Sequence, residues 1–245
     1  MPTAWTRREV VRLAGLAGAA SLLGGRMRAQ EKKTPAVDAV DHLLLGISDL
    51  DKGIAWVREK TGLTAVYGGV HPGIGTRNAL LSLGGRRYLE IIAPDPAQTS
   101  YSFSADVRKL ESPRLVMWAA GATEIDTFAE SLKATGLQVF GPRDGSRARP
   151  DGKTLRWKAM AIGHPHRDGI VDPIPFFIEW AADSPHPAGD SPRGCELESL
   201  SFTHPEAEAV AKTLRSLDIA ASVTPAGEAR LIATIRTPKG KVELS

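Results

Sequence analysis

Cysteine is nearly missing from this sequence: Cys195 stands alone among 245 residues. A single thiol excludes an internal disulfide and any paired-cysteine zinc motif, so the fold has to be held by its apolar core. No sequence neighbour would activate Cys195, which argues against a nucleophilic role. Long apolar runs are missing as well. The best one, inside MPTAWTRREVVRLAGLAGAASLLGGRMRAQ, is too short and too glycine-rich to span a bilayer as a stable helix. No Ser-His-Asp order and no phosphate loop stand out. Gly73-Ile74-Gly75 is followed by neither a helix nor a spaced acid, so it is not a dinucleotide fingerprint.

The N-terminus carries Arg7 and Arg8, then the weakly apolar stretch, then the small Ala29. This is the layout of an export signal, and T-R-R-E-V-V-R resembles a twin-arginine signal. Residues 1–29 are therefore expected to be cleaved near Ala29 and to deliver an already folded protein to the periplasm, with no stable membrane insertion afterwards. The segment holds five Arg and one Glu; removing it takes Lys+Arg from 31 to 26 and Asp+Glu from 28 to 27. The formal charge of +3 becomes −1, and the case for a nucleic-acid partner disappears.

Residues 30–38 (QEKKTPAVD) read as a polar linker. A β-α-β-β-β order then recurs. In residues 39–95, the apolar run AVDHLLLGI is followed by a helix that Ser48 or Asp49 can cap. Ile54 and Val57 face inward from that helix, and Gly62 ends it. LTAVYGG makes a second strand. The loop HPGIGTRNAL comes next, and a hairpin turns at Gly84-Gly85. Residues 113–182 repeat the order from RLVMWAA, with a helix over roughly 124–134, then LQVF, TLRWKAMA and PFFIEW. Residues 196–245 repeat it most tersely, with Pro205 in the first turn of the helix. The class is α+β, built from three copies of one unit.

DHLLLGISDLDKGIAWV, the HPGIGTRNAL loop, YLEIIAPDP and PFFIEW resemble the glyoxalase-like group of the vicinal oxygen chelate (glyoxalase/bleomycin resistance/dioxygenase) superfamily. The resemblance covers 39–182. It implies cupped mixed sheets made from paired units, within one chain or across a homodimer, around a small-molecule site. It further implies a divalent metal (Zn, Mn, Ni, Fe or Mg) held by first and last strands and polarising a substrate carbonyl. Three functions follow from it. One is a metal-dependent lyase or isomerase acting on a small oxygenated metabolite. Another is a metal-free binding protein of the bleomycin-resistance type. The third is an extradiol-type dioxygenase, which needs two His and one carboxylate on Fe(II).

Onto this pattern the resemblance places His42, Glu90 and Glu179 as metal ligands, with Glu179 alternatively the catalytic base. Glu90 lies between Leu89 and Ile91, so it is expected to be buried and to need a partner: a metal, Arg86 or Arg87. The second copy offers only Val116 or Met117 opposite His42, and the third offers Glu198 and Glu243. In the loop, Gly73 and Gly75 permit close backbone approach, and His71, Thr76, Arg77 and Asn78 are expected to bind substrate; a self-bonded turn is the alternative. His164 and His166 read as a solvated loop, and His186 and His204 as structural. Trp118, Trp157, Trp180, Phe176 and Phe177 suit either core or pocket floor. A metal enzyme should gather His42 and both glutamates. A binder should show a large apolar cup, with Glu90 and Glu179 paired to arginines.

Overall fold

The computed structural model describes residues 33–149 and 151–245; the expected signal, 1–29, lies outside them. Residues 33–38, expected as linker, are tied down. β1 (Thr34–Pro35) pairs in parallel with β11 (Ile219–Ala220), and α1 (Ala36–Ala39) follows it. Ala36 is buried in the main core, which is why the segment does not behave as a spacer.

The first unit runs β2 (Val40–Gly46), α2 (Leu50–Thr61), β3 (Val66–His71), β4 (Thr76–Ser82) and β5 (Tyr88–Pro94). Asp49 caps α2 by accepting from the N–H groups of Asp51 and Lys52, and Gly62 ends it at φ 80°, where a Cβ would be strained. The second unit runs β6 (Arg114–Gly121), α3 (Ile125–Ala134), β7 (Val139–Ala148), β8 (Thr154–Ile162) and β9 (Phe176–Trp180). In each unit the first strand pairs in parallel with the last, and β2 pairs antiparallel with β6. The result is one curled eight-stranded sheet of order β3-β4-β5-β2-β6-β9-β8-β7.

α4 (Pro187–Asp190) leads to the third unit: β10 (Glu196–His204), α5 (Ala207–Ser216), β11, β12 (Ser222–Pro225), β13 (Arg230–Thr237) and β14 (Gly240–Leu244). Its sheet order, β12-β10-β13-β14, differs from the other two. Here the first strand, β10, pairs with β12 and β13 rather than with the last, β14. This sheet packs its apolar side against the main core, where the fully buried Trp118 meets Phe202 at 5.8 Å between ring centroids. Among the described residues no helix is long and apolar enough to cross a membrane.

The loop of His164 and His166 is not solvated as its polarity suggests; it is the seam on which the third unit docks. His166 Nε2 lies 2.9 Å from Thr213 Oγ1 on α5, and its carbonyl accepts from His204 Nε2. Its Nδ1 is buried without a hydrogen-bond partner, 3.6 Å from the Glu206 carboxylate. Burial and the neighbouring His164 push His166 below its ordinary value of 6.5, against the opposing pull of Glu206. The folded state thus prefers neutral His166. Stability from this group is complete above the unfolded value and is lost as pH falls through the folded one. The urea midpoint should therefore fall as pH is lowered from 6.5 towards about 5, and less steeply in His166→Asn. Equal slopes in the two proteins would show that His166 is not responsible.

Candidate functional site

Strand alternation builds the site. On β5, Leu89 and Ile91 go to the core beneath α2, while Tyr88, Glu90 and Ile92 turn to the inner face of the curled sheet. On β2, Leu43 and Leu45 go outward to that core and His42 and Leu44 turn in. On β4, Ala79 and Leu81 join the core, and Thr76, Asn78 and Leu80 lie on the other side. The inner face thus receives a polar cluster. His42 is 3 % exposed, Asn78 2 % and Glu90 6 %.

Glu90 is the centre of it. Its Oε1 accepts from Asn78 Nδ2 at 2.6 Å and lies 3.5 Å from His71 Nε2, while its Oε2 lies 3.5 Å from His42 Nε2. Asn78 Nδ2 also reaches His71 Nε2 at 3.3 Å, and His71 Nδ1 is hydrogen-bonded to Thr76 Oγ1 at 2.8 Å. That pattern suits neutral His71, which donates through Nδ1 and accepts at Nε2. Burial likewise pushes His71 below its ordinary value, although Glu90 opposes the shift. For Glu90, burial favours the neutral acid. The neighbouring imidazoles of His71 and His42, the Asn78 N–H and Arg147 outweigh it and hold the carboxyl below its ordinary range.

A β-bulge supplies the support. Between Val40 and His42, β2 has one residue more than β6, and the extra residue is Asp41. A bulge lets consecutive side chains turn to one side of a strand. Asp41 Oδ1 accepts from His42 Nδ1 at 2.7 Å, and Oδ2 accepts from Trp180 Nε1 and His186 Nε2, both at 3.0 Å. Burial opposes ionisation of Asp41, but the hydrogen bonds from His186 and His42 prevail and keep its carboxyl well below the usual range. Tyr88 stacks on the His42 ring at 4.6 Å between centroids, so the imidazole is fixed at its nitrogen and on its face. Arg147 of β7, 5 % exposed, crosses to the carbonyl of Gly68 on β3 and brings the two edge strands of the curled sheet together.

The structure brings together His42, His71, Thr76, Asn78 and Glu90. It does not bring Arg77 or Glu179 to them. Arg77 alternates to the other face, where its Nε is buried without a partner. Glu179 is a helix cap: its carboxylate accepts from the N–H groups of Glu124 and Ile125 at 2.9 and 3.0 Å. Alternation explains the departure, because Glu179 shares the face of Phe177, which packs on Phe128 of α3. Glu179→Ala should cost about 1 kcal/mol of stability, read as a urea midpoint, and leave ligand binding at Glu90 unchanged. A loss of binding would return Glu179 to the site. Glu198 pairs with Arg236 and Lys241 on the surface, and Glu243 is exposed.

The expected loop is shorter than it reads. His71 ends β3 and Thr76 begins β4, leaving a four-residue turn. Gly75, at φ 84°, has Ser100 O only 2.2 Å from where a Cβ would stand, and Ser102 N–H donates to Ile74 O. Gly75 therefore serves the packing of the 98–102 segment against the turn. Signals for Asp41 and Arg147 are weak in the sequence. The first depends on a bulge, and the second lies in GPRDGSRARPDG, which has the composition of a loop.

The donor types here suit a divalent metal: two imidazoles, each tethered at Nδ1 by Asp41 or Thr76, and a carboxylate. Their arrangement does not suit one. The two Nε2 atoms face different oxygens of Glu90, Asn78 N–H takes one of those oxygens, and no three His, Cys, Asp or Glu side chains among the described residues converge as ligands. The arrangement of a binder is not met either. Neither Glu90 nor Glu179 pairs with an arginine among the described residues. Trp157 and Trp180 do line an open groove of about 580 Å³, made possible by Gly145, where a Cβ would come within 2.5 Å of the Trp157 ring.

A hypothetical protein from Staphylococcus aureus shares this fold at TM-score 0.63 and 15% identity, over 84% of this chain and 98% of that one. Methylmalonyl-CoA epimerase from Mycobacterium tuberculosis aligns at TM-score 0.40 and 22% identity, over 60% of this chain and 91% of that one. The Streptomyces coelicolor methylmalonyl-CoA epimerase aligns at 0.42 and 20%, over 62% and 99%. No protein with a curated description matches the sequence significantly. The model of the family described as glyoxalase-like domain matches residues 40–217. With that match over most of its length and the curled mixed sheet that goes with it, the chain belongs to the glyoxalase-like domain family.

Proposed function

We propose that this protein is a lyase or isomerase that moves a proton on a small oxygenated metabolite, with Glu90 as the base. One observation carries the reading: a buried carboxyl held between two imidazoles, each 3.5 Å from one of its oxygens. Glu90 would take a proton from a carbon next to a carbonyl. The electron pair left behind would move to that oxygen, and the proton would return to the same or a neighbouring carbon. Without substrate, four neighbours hold Glu90 as a weak base. A substrate anion that engages Arg147 would remove part of that support and raise the proton affinity of Glu90 towards what proton abstraction needs. Asp41 and Tyr88 hold the His42 ring in place while this happens. The N-terminal pattern supports action in the periplasm.

Solvent exchange tests the reading without knowledge of the product. The protein is incubated in D₂O with small hydroxy and keto acids, with and without chelator, and loss of a carbon-bound proton signal is followed by NMR. Exchange catalysed by wild type and lost in Glu90→Gln is expected. Exchange that survives in the variant would remove Glu90 from the chemistry. Exchange that appears only on adding Mn or Zn, and vanishes in His42→Ala, would favour the metal-dependent form.

A further inference from the structure

Arg147 is a buried cation without an ion pair. It is 5 % exposed, and a buried guanidinium normally ends on a carboxylate. Among the described residues no carboxylate lies within ion-pair distance of it, and its one hydrogen bond goes to the Gly68 carbonyl, a neutral acceptor. A single carbonyl cannot satisfy the five N–H donors of a guanidinium. Burial pushes Arg147 below its ordinary value, although Glu90 opposes the shift.

A cavity of about 40 Å³ lies beside this cation. Arg147, Arg149 and Asp190 line it together with the apolar walls of Leu80, Leu155 and Pro187. Arg149 and Asp190 form an ion pair at 2.6 Å, so their charges offset each other. Arg147 therefore leaves the lining with a net positive charge. Between apolar walls an unmatched charge is costly, and an opposite charge close by is strongly favoured. The volume admits a water molecule or an ion not much larger. A water molecule would accept from the guanidinium without neutralising it. A carboxylate-bearing metabolite is too large.

We infer that this cavity is a binding site for one small monovalent anion, a halide such as chloride, held by the guanidinium of Arg147. The ion supplies the negative charge that the described residues do not bring within ion-pair distance. Its place is structural, because Arg147 crosses from β7 to the Gly68 carbonyl on β3 and joins the two edge strands of the curled sheet. Neutralising that arginine should stabilise the closure. Asp190, the one carboxylate on the lining, is held by Arg149. The site does not depend on the proton-transfer reading.

The test is thermal unfolding of the full chain in sodium chloride, bromide or gluconate at matched ionic strength. Above the dissociation constant, each tenfold rise in chloride should raise the melting temperature by about 3–6 °C. Bromide should act like chloride, and bulky gluconate should not. Arg147→Gln should lose the chloride response. Glu90→Gln should keep it while losing proton exchange, so failure of this site and failure of the proton-transfer reading look different. Should Arg147→Gln fail to fold, wild-type crystals grown in bromide give a second measurement: an anomalous-scattering peak is expected within hydrogen-bond distance of the Arg147 guanidinium. The proposal falls if chloride and gluconate give the same melting temperature, if Arg147→Gln keeps the chloride response, or if no bromide is found at Arg147.

Discussion

Asp41→Ala is expected to lower the unfolding free energy by about 3–5 kcal/mol, the range found when one partner of a buried charged network is removed. Three donors end on this carboxylate, from His42, Trp180 and His186. Side chains of β2, β9 and the segment before α4 would lose their common acceptor in one step. For a chain of this size the melting temperature should fall by roughly 10 °C. Asp41→Asn keeps one acceptor oxygen and should lose about half as much. Urea denaturation of both variants against wild type checks the order. If Asp41→Ala unfolds within about 1 kcal/mol of wild type, the three donors find water, and the network is not what positions His42.

Glu90→Gln should behave in the opposite way. Shape and burial are kept, and one hydrogen-bonding oxygen remains, so the fold should change little. The base is gone, and the rate of proton exchange or turnover should fall by about 10²–10⁴-fold. His42→Gln should fall by less, because His42 faces the carboxylate rather than replacing it. The discriminating measurement is the pair of readings on each variant: urea midpoint and exchange rate. A Glu90→Gln protein that unfolds early and keeps its rate would make Glu90 a structural carboxylate.

Periodicity makes much of the architecture legible in the sequence. Alternation along β2 and β5 places Val40 and Leu44 with His42, and Tyr88 and Ile92 with Glu90; the structure keeps all of these on the inner face except Val40, which the bulge at Asp41 sends to the main core. The cap at Asp49 and the stop at Gly62 are local interactions within a few residues, so they too were readable. Glu179 is placed at the site by the resemblance, by analogy with the last strand of the first unit, and not by alternation. In the second unit the neighbouring Phe177 goes to α3, and the carboxylate follows it to the helix N-terminus. His186, expected to be merely structural, turned out to be a partner of Asp41 across 145 residues.

The sequence by itself determined the element order, the two sheet-building units and the burial of Glu90, because each follows from side-chain pattern over distances of a few residues. Only the tertiary structure decided what surrounds Glu90. A bulge in β2 turns Asp41 inward, and the extension of β7 through a loop-like stretch carries Arg147 across to Gly68. The third unit likewise begins β-α-β, but its second run is split into β11 and β12, and its sheet took another strand order. Strand pairing, bulges and contacts between distant edges depend on which surfaces meet after collapse, and a single strand's pattern of apolar residues does not encode them.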